Sequence, residues 1–307
     1  MAAKRKGRLF RIAAWMLTVV LFLLVLSGCE ETFDLSELLG NEFTHGQMAS
    51  GENTGVQVDF FDVGQGDCTL ITANGKHILI DAGENDQADR VVEYLEDKGI
   101  EKLDIVIGTH PHSDHIGGLD VVIDRFEIGQ IILPRLTDKQ IPTTKTYLDL
   151  LTAIADKNMK VTSAKAGDVI DIGGGKLEIR GPISEYSDLN DVSVVARYVY
   201  GKVSFWIAGD CSKEAEKDLL ASKRVEKTTV YKVSHHGSST ATTQKFLDAL
   251  SPEYCVISLG ADNSYGHPHK EVSKRLNKAG MPVYRTDLNG TVTARTDGKE
   301  ITFVTQK

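Results

Sequence analysis

GTHPHSDHIGG, residues 108–118, sets three histidines and an aspartate within six positions, directly after the apolar run LDIVI. The chain has nine histidines in all, so a third of them fall in this one turn. A buried-type strand that delivers such a cluster into a glycine-flanked turn suits the holding of cations. Alternate residues of a short extended segment direct His110 and His112 toward one ion, and the next turn carries Asp114 and His115 toward a second. Imidazole nitrogen with carboxylate oxygen suits Zn(II), and also Mn(II) or Fe(II). Gly117 and Gly118 allow a tight turn before a helical stretch.

Four residues do not complete two ions, so further donors are expected from other strand ends. WIAGD ends at Asp210, whose carboxylate could bridge the ions, and YKVSHHGS carries His235 and His236. Alone each signal is weak, since a strand-end aspartate is commonly a cap and a histidine pair commonly polar surface. Their shared position, after apolar strands and before helix starts, joins them to the cluster. DVGQGD, residues 62–67, reads as a turn beneath the ions, with Asp62 or Asp81 as acceptors for ligand imidazoles. In NSYGHPH, Tyr265 and His267 could donate hydrogen bonds to a substrate oxygen, whereas His269 reads as a packing residue.

Outward from these motifs, VQVDFFDV, CTLITA, HILIDAG, LDIVIGT and IGQIILP read as strands, with helices over 87–98 and 143–157. DVIDI, KLEIR, VSVVARYVY and KVSFWIAGD follow, the last two forming a hairpin about Gly201. TTVYKVS and EYCVISLG then alternate with helices before short C-terminal strands. This order predicts an α+β fold of two sheets packed face to face with helices outside. Periodicity alone also permits a doubly wound sheet.

The first 29 of the 307 residues read as a targeting segment. Lys4, Arg5, Lys6, Arg8 and Arg11 precede an apolar stretch from Ile12 to Leu26 that is short for a membrane span of roughly 20 residues. LSGC, ending at Cys29, resembles the bacterial lipobox, in which the cysteine carries lipid. Residues 1–29 are therefore expected to be a signal peptide, 30–54 a polar tether and 55–307 the hydrolase domain. The domain would be exported and held on the extracytoplasmic membrane face through Cys29, with an uncleaved N-terminal anchor as the alternative. Beyond Cys29 the chain keeps 30 of its 35 Lys and Arg against all 43 Asp and Glu. Such a surface disfavours broad electrostatic binding of DNA, while cleavage of a phosphodiester inside a metal-lined cleft stays open. Cys68, Cys211 and Cys255 lack the paired spacing of a zinc knot and read as buried free thiols, a Cys68–Cys211 bridge being the alternative.

HPHSDH matches the HxHxDH signature of the metallo-β-lactamase superfamily. FFDVGQGDCTLI, HILIDAG, THPHSDHIGG, NDVSVVARYVYGKVSFWIAGD, YKVSHHGSS and NSYGHPH, in that order, resemble the hydrolase domain of ComEC-type DNA-uptake proteins. The resemblance spans residues 56 to 307 and implies an αββα sandwich with two mixed sheets. It implies two divalent metal ions, Zn or Mn: His110 and His112 on the first, Asp114, His115 and His236 on the second, and Asp210 between them. The preference for His236 as ligand, with His235 as its catalytic or substrate-binding neighbour, rests on similarity to surface phosphorylcholine esterases of the superfamily. Asp114, His235 and His267 are then the candidate catalytic residues. The superfamily's additional histidine on the first metal has no evident counterpart here, where Asn190 and Asp191 fall instead. The expected activity is phosphodiester hydrolysis of extracytoplasmic DNA or a related substrate. Alternatives are an envelope-polymer phosphodiesterase, a β-lactamase or lactonase-like hydrolase, and a non-catalytic metal-stabilised binding protein.

Overall fold

A computed structural model describes residues 55–307. The expected signal peptide, lipobox cysteine and tether lie outside the described residues. Among the described residues fifteen strands are formed: β1 (Val56–Phe60), β2 (Thr69–Ala73), β3 (Lys76–Ile80), β4 (Lys102–Ile107), β5 (Glu127–Leu133), β6 (Val161–Ser163), β7 (Val169–Ile172), β8 (Gly175–Gly181), β9 (Val195–Tyr200), β10 (Val203–Ile207), β11 (Val230–Lys232), β12 (Tyr254–Ile257), β13 (Val283–Arg285), β14 (Val292–Thr296) and β15 (Ile301–Thr305). They make an eight-stranded sheet ordered β15-β14-β1-β2-β3-β4-β5-β6 and a seven-stranded sheet ordered β13-β12-β11-β10-β9-β8-β7. Both are mixed: β3 to β6 run parallel in the first, and β10 to β13 run parallel in the second.

The apolar strands alternate between two cores, which explains their near-continuous hydrophobicity. Ile78, Ile80, Ile105 and Ile107 join Phe205, Ile207, Val230 and Val256 in a layer between the sheets. Leu79, Leu103 and Val106 point the other way, onto helices Ala88–Asp97, Leu119–Arg125 and Lys145–Asp156. Trp206, Tyr231, Cys255 and Ile257 meet helices Lys213–Ala221, Gln244–Leu250 and Lys270–Ala279 on the outer face of the second sheet. Three cores in series are the αββα layering expected from the sequence, and they exclude a single doubly wound sheet.

The elements depart from the expected ones in two details. The helix expected over 143–157 spans Lys145–Asp156, because the Thr144 hydroxyl accepts the Tyr147 N–H and caps it. Strand β6 was not among the expected strands: all three of its residues are exposed at the sheet edge, so it carries no apolar alternation.

The parallel strands place their C-terminal ends along one rim. Asp81 follows β3, the histidine cluster follows β4, Asp210 follows β10, His235 and His236 follow β11, and Ser258 follows β12. Carboxyl ends of parallel strands are where layered folds of this kind gather ligands.

Candidate metal centre

The rim is held by backbone bonds between turns distant in sequence. The Asp67 N–H donates to the Asp114 carbonyl at 3.0 Å, and the Ala82 N–H donates to the His115 carbonyl at 2.7 Å. Gly66 has φ of 139°, and a Cβ there would lie 2.4 Å from the Asp114 carbonyl oxygen, so only glycine permits this approach. His235 and His236 both adopt left-handed backbone, with φ of 54° and 52°. Such residues cost of order 1–3 kcal/mol each and persist where the surrounding contacts fix them. Here the His235 N–H donates to Gly209 at 3.1 Å, tying the pair to the turn that carries Asp210.

Six of the expected donors meet. Asp114, His115, Asp210 and His236 present one donor atom each within 4.8 Å of one another. His236 Nε2 stands 3.2 Å from Asp114 Oδ2 and 3.5 Å from Asp210 Oδ1, while His115 Nε2 stands 3.1 Å from Asp210 Oδ1. That last pair lies close without hydrogen-bond alignment, and His115 Nε2, His236 Nε2 and Asp210 Oδ1 are all buried without a hydrogen-bond partner. Buried polar atoms are nearly always paired. Three unpaired donors in one place fit a divalent cation, with two nitrogen and two oxygen ligands of the type such ions take. On the other side of Asp210, His110 Nε2 lies 3.9 Å from Oδ2 and 3.1 Å from His112 Nδ1.

The rings are oriented from behind, as metal-ligating histidines require. His115 Nδ1 donates to Asp81 Oδ2 at 2.8 Å, and His236 Nδ1 donates to the Ser258 carbonyl at 2.9 Å. Asp81 is itself fixed by the backbone N–H and the hydroxyl of Thr109, each at 2.7 Å. Of the two acceptors expected from the sequence, only Asp81 serves. Asp62 instead accepts the Gly64 N–H at 3.2 Å within its own turn and lies 3.5 Å from Lys307 Nζ, because the turn aims Asp67 inward in its place. Asp67 pairs with the fully buried Lys232 and lies 3.4 Å from His236 Nδ1.

Charge follows from this packing. Burial pushes the Asp210 carboxyl up, but His115, His236 and His110 hold it well below the usual carboxylate range. Burial would lower His236, yet Asp210, Asp67 and Asp114 raise it to about 10, and His115 rises well above its ordinary value for similar reasons. Protons on these imidazoles occupy the place of a cation and would leave as one bound. His110 is held well below its ordinary value, first by burial and then by His115, and is a neutral imidazole.

The donors open into a cleft of about 450 Å³ whose lining includes Gln65, Glu84, His112, Asn190, His235, Tyr265 and His267. His235 Nε2 reaches 3.5 Å from Asp210 Oδ2, and its Nδ1 lies 3.1 Å from the Thr240 hydroxyl. His267 lies over His236 with ring centroids 6.2 Å apart, and burial, followed by the charge of His236, lowers its pKa to about 4. His269 Nδ1 accepts the Ser239 N–H at 2.8 Å, a packing contact. Cys68, Cys211 and Cys255 are buried and free, so the Cys68–Cys211 bridge is absent among the described residues. Sequence reasoning passed over Thr109, Lys232 and Ser258; the first lies inside GTH and the second inside YKVSHH, yet neither residue type announces its buried partner.

The chain has a metallo-hydrolase fold of αββα architecture with a candidate metal-binding donor group, and it belongs to the metallo-beta-lactamase superfamily, whose profile matches residues 61–261. It is similar to ComE operon protein 3 of Bacillus subtilis, at 29% identity over 266 residues, covering 80% of this chain and 34% of that protein. It is also similar to Recombination protein 2 of Haemophilus influenzae, at 31% over 242 residues, covering 77% of this chain and 28% of that protein. These matches bear out the resemblance to ComEC-type proteins, and the chain spans about a third of the length of these curated relatives. Among solved structures, the metallo-beta-lactamase fold protein YhfI from Bacillus subtilis superposes with a TM-score of 0.52 at 14% identity, covering 79% of this chain and all of that one. That likeness concerns the fold alone.

Proposed function

We propose that the chain is a two-ion phosphodiesterase or nuclease acting on DNA or another phosphodiester outside the cytoplasm. The observation that carries this reading is the set of unpaired buried atoms, His115 Nε2, His236 Nε2 and Asp210 Oδ1, beside an open cleft that His236 and Asp210 line. His110, His112 and Asp210 would hold the first ion, and Asp114, His115, Asp210 and His236 the second. When bound, Zn or Mn ions supply Lewis acidity toward a phosphoryl group and activate water.

The remaining residues bind and orient. His267 is neutral at physiological pH, so it offers a hydrogen bond to a phosphoryl oxygen rather than a transferable proton. His235 is lowered by burial as well and stands beside Asp210, placed to contact the leaving group or the attacked oxygen. Asp114 would help anchor the second ion while its exposed edge faces the cleft. Recombination in the name of the Haemophilus influenzae relative supports DNA as the substrate.

A second reading, cleavage of envelope phosphodiesters, is favoured by the cleft itself. Its lining has Glu84, Asp114 and Asp210 and, among the described residues, no Lys or Arg to follow a polyanion. Lipid on Cys29 and export would suit either substrate. The test is metal analysis of the purified chain, then a panel of single- and double-stranded DNA, RNA, teichoic-acid-type polymer, aryl phosphodiester and nitrocefin with Mn(II) or Zn(II). Cleavage confined to the nucleic acids and aryl phosphodiester supports the first reading. Hydrolysis of nitrocefin alone overturns both.

A further inference from the structure

The pocket beside His110 and His112 is short of a donor. His110 Nε2 and His112 Nδ1 lie 3.1 Å apart and Asp210 Oδ2 stands 3.9 Å from the former, so three residues converge there. Unlike the group around His236, they are not among the compact donor clusters of the described residues.

Asn190 lines the same cleft as His112 and Asp210 and carries a free oxygen. Its turn is tied to both flanks of the pocket. The Ser193 hydroxyl donates to the Asn190 carbonyl at 2.6 Å and accepts the Asp210 N–H at 3.2 Å. One residue on, the Val194 N–H donates at 2.8 Å to the carbonyl of Thr109, the neighbour of His110. The Asn190 side chain lines the cleft with His112 and Asp210, and its Oδ1 is buried with no hydrogen-bond partner. A buried amide oxygen is costly to leave unpaired. The adjacent Asp191 is engaged on another element: its Oδ1 accepts the N–H groups of Ser212 at 2.9 Å and Ala215 at 3.4 Å at the start of a helix.

Resting on the two-ion reading above, we infer that Asn190 Oδ1 is a ligand of the first ion, completing the set His110, His112 and Asp210. An amide oxygen is neutral and hard, so it shifts this position from Zn(II) toward Mn(II). The first ion is consequently held more loosely than the second, which has two carboxylates.

The test is Mn(II) titration of the full chain by calorimetry, with electron paramagnetic resonance counting free and spin-coupled ions. Wild type should bind two ions of unequal affinity. Asn190→Ala should weaken the looser ion by at least the roughly 10- to 100-fold that loss of an outer partner costs, remove the spin-coupled signal at limiting metal, and leave the tighter ion unchanged. Asn190→Asp should keep or tighten the looser ion. Two ions bound by Asn190→Ala with wild-type affinities would overturn the assignment while leaving the two-ion reading intact. A single ion in wild type would overturn that reading, and the assignment with it. Should the alanine variant fail to fold, the aspartate variant decides: weakened binding counts against a ligand oxygen here, and tightened binding supports it.

Discussion

The ammonium of Lys232 is paired with the carboxylate of Asp67, and both side chains are closed off from solvent. Lys232 ends β11 three residues before His235, and Asp67 Oδ1 lies 3.4 Å from His236 Nδ1, so this pair adjoins the donor group from the core side. Burial pushes Asp67 up, but Lys232, His236 and His115 outweigh it and hold its pKa at about 2. Lys232→Met leaves a buried carboxylate without its cation, a change that costs about 3–5 kcal/mol. Urea unfolding should show that loss, and adding Asp67→Asn should recover part of it. Strictly additive losses in this double-mutant cycle would contradict the coupling.

Without metal, the centre depends on protons, which gives its stability a sign in pH. His236 has its folded pKa raised to about 10 from an ordinary 6.5, by Asp210, Asp67 and Asp114 against the opposing effect of burial. A raised imidazole pKa stabilises the fold fully below the unfolded value, and that contribution is lost as pH rises through the folded one. Chelator-treated protein should therefore lose stability between about pH 6.5 and 10. Metal-loaded protein should not follow, since its ligands are already deprotonated. Denaturation midpoints across that range, with and without EDTA, check both curves; a metal-free midpoint that holds level or rises contradicts the proton-filled centre.

The parts of this site that were legible in the sequence are those whose residue type and strand-end position coincide. His110, His112, Asp114, His115, Asp210 and His236 each follow an apolar strand, and the layered fold brings such ends together. What escaped was the support behind them. Lys232 stands in an apolar strand where a lysine reads as exposed, and only the arrival of Asp67 from a turn 165 positions away buries it. Thr109 acts through its backbone N–H and hydroxyl and Ser258 through its carbonyl, groups that every chain has in abundance. The choice between Asp62 and Asp81 turned on which way the residues 62–67 turn faces, and periodicity does not encode that. β6 was invisible because a three-residue edge strand with no buried face leaves no pattern.

The three thiols near these elements are predicted to be inert in the native state. Burial raises Cys68 and Cys211 well above the ordinary thiol range, with nearby carboxylates adding to it, and pushes Cys255 up to about 12. The thiolate is the reactive form. An alkylating agent at pH 8 should leave all three unlabelled in folded protein and label all three in denaturant without added reductant, read by peptide mass spectrometry. Failure of Cys68 and Cys211 to label in denaturant until a reductant is added would reveal a bridge.

His267 provides a test of how charge is stabilised in the cleft. Its pKa of about 4 keeps the ring neutral through physiological pH. If it acts as a hydrogen-bond donor, His267→Ala should lower kcat by about 100- to 1000-fold, as loss of one preorganised donor does. His267→Gln, which keeps an N–H, should recover a large part. The wild-type pH–rate profile should have no descending limb near pH 6 to 7 that disappears in His267→Gln. Such a limb would mean that the ring works as a protonated acid.

Tyr265 lines the cleft and separates the two proposed substrates. The residue is 63% exposed, and its ring stacks on His267 at 5.6 Å between centroids, with planes 18° apart. An exposed aromatic face beside a phosphodiester site is a platform for a base, worth roughly 1–3 kcal/mol per stacked base. Tyr265→Ala should therefore raise KM for a single-stranded oligonucleotide by about 5- to 150-fold, while Tyr265→Phe leaves it unchanged. A small aryl phosphodiester, which has no base to stack, should be hydrolysed equally by all three proteins. Parallel losses on both substrates would instead show that Tyr265 serves only to hold His267, and an oligonucleotide KM untouched by Tyr265→Ala would favour an envelope phosphodiester that carries no base.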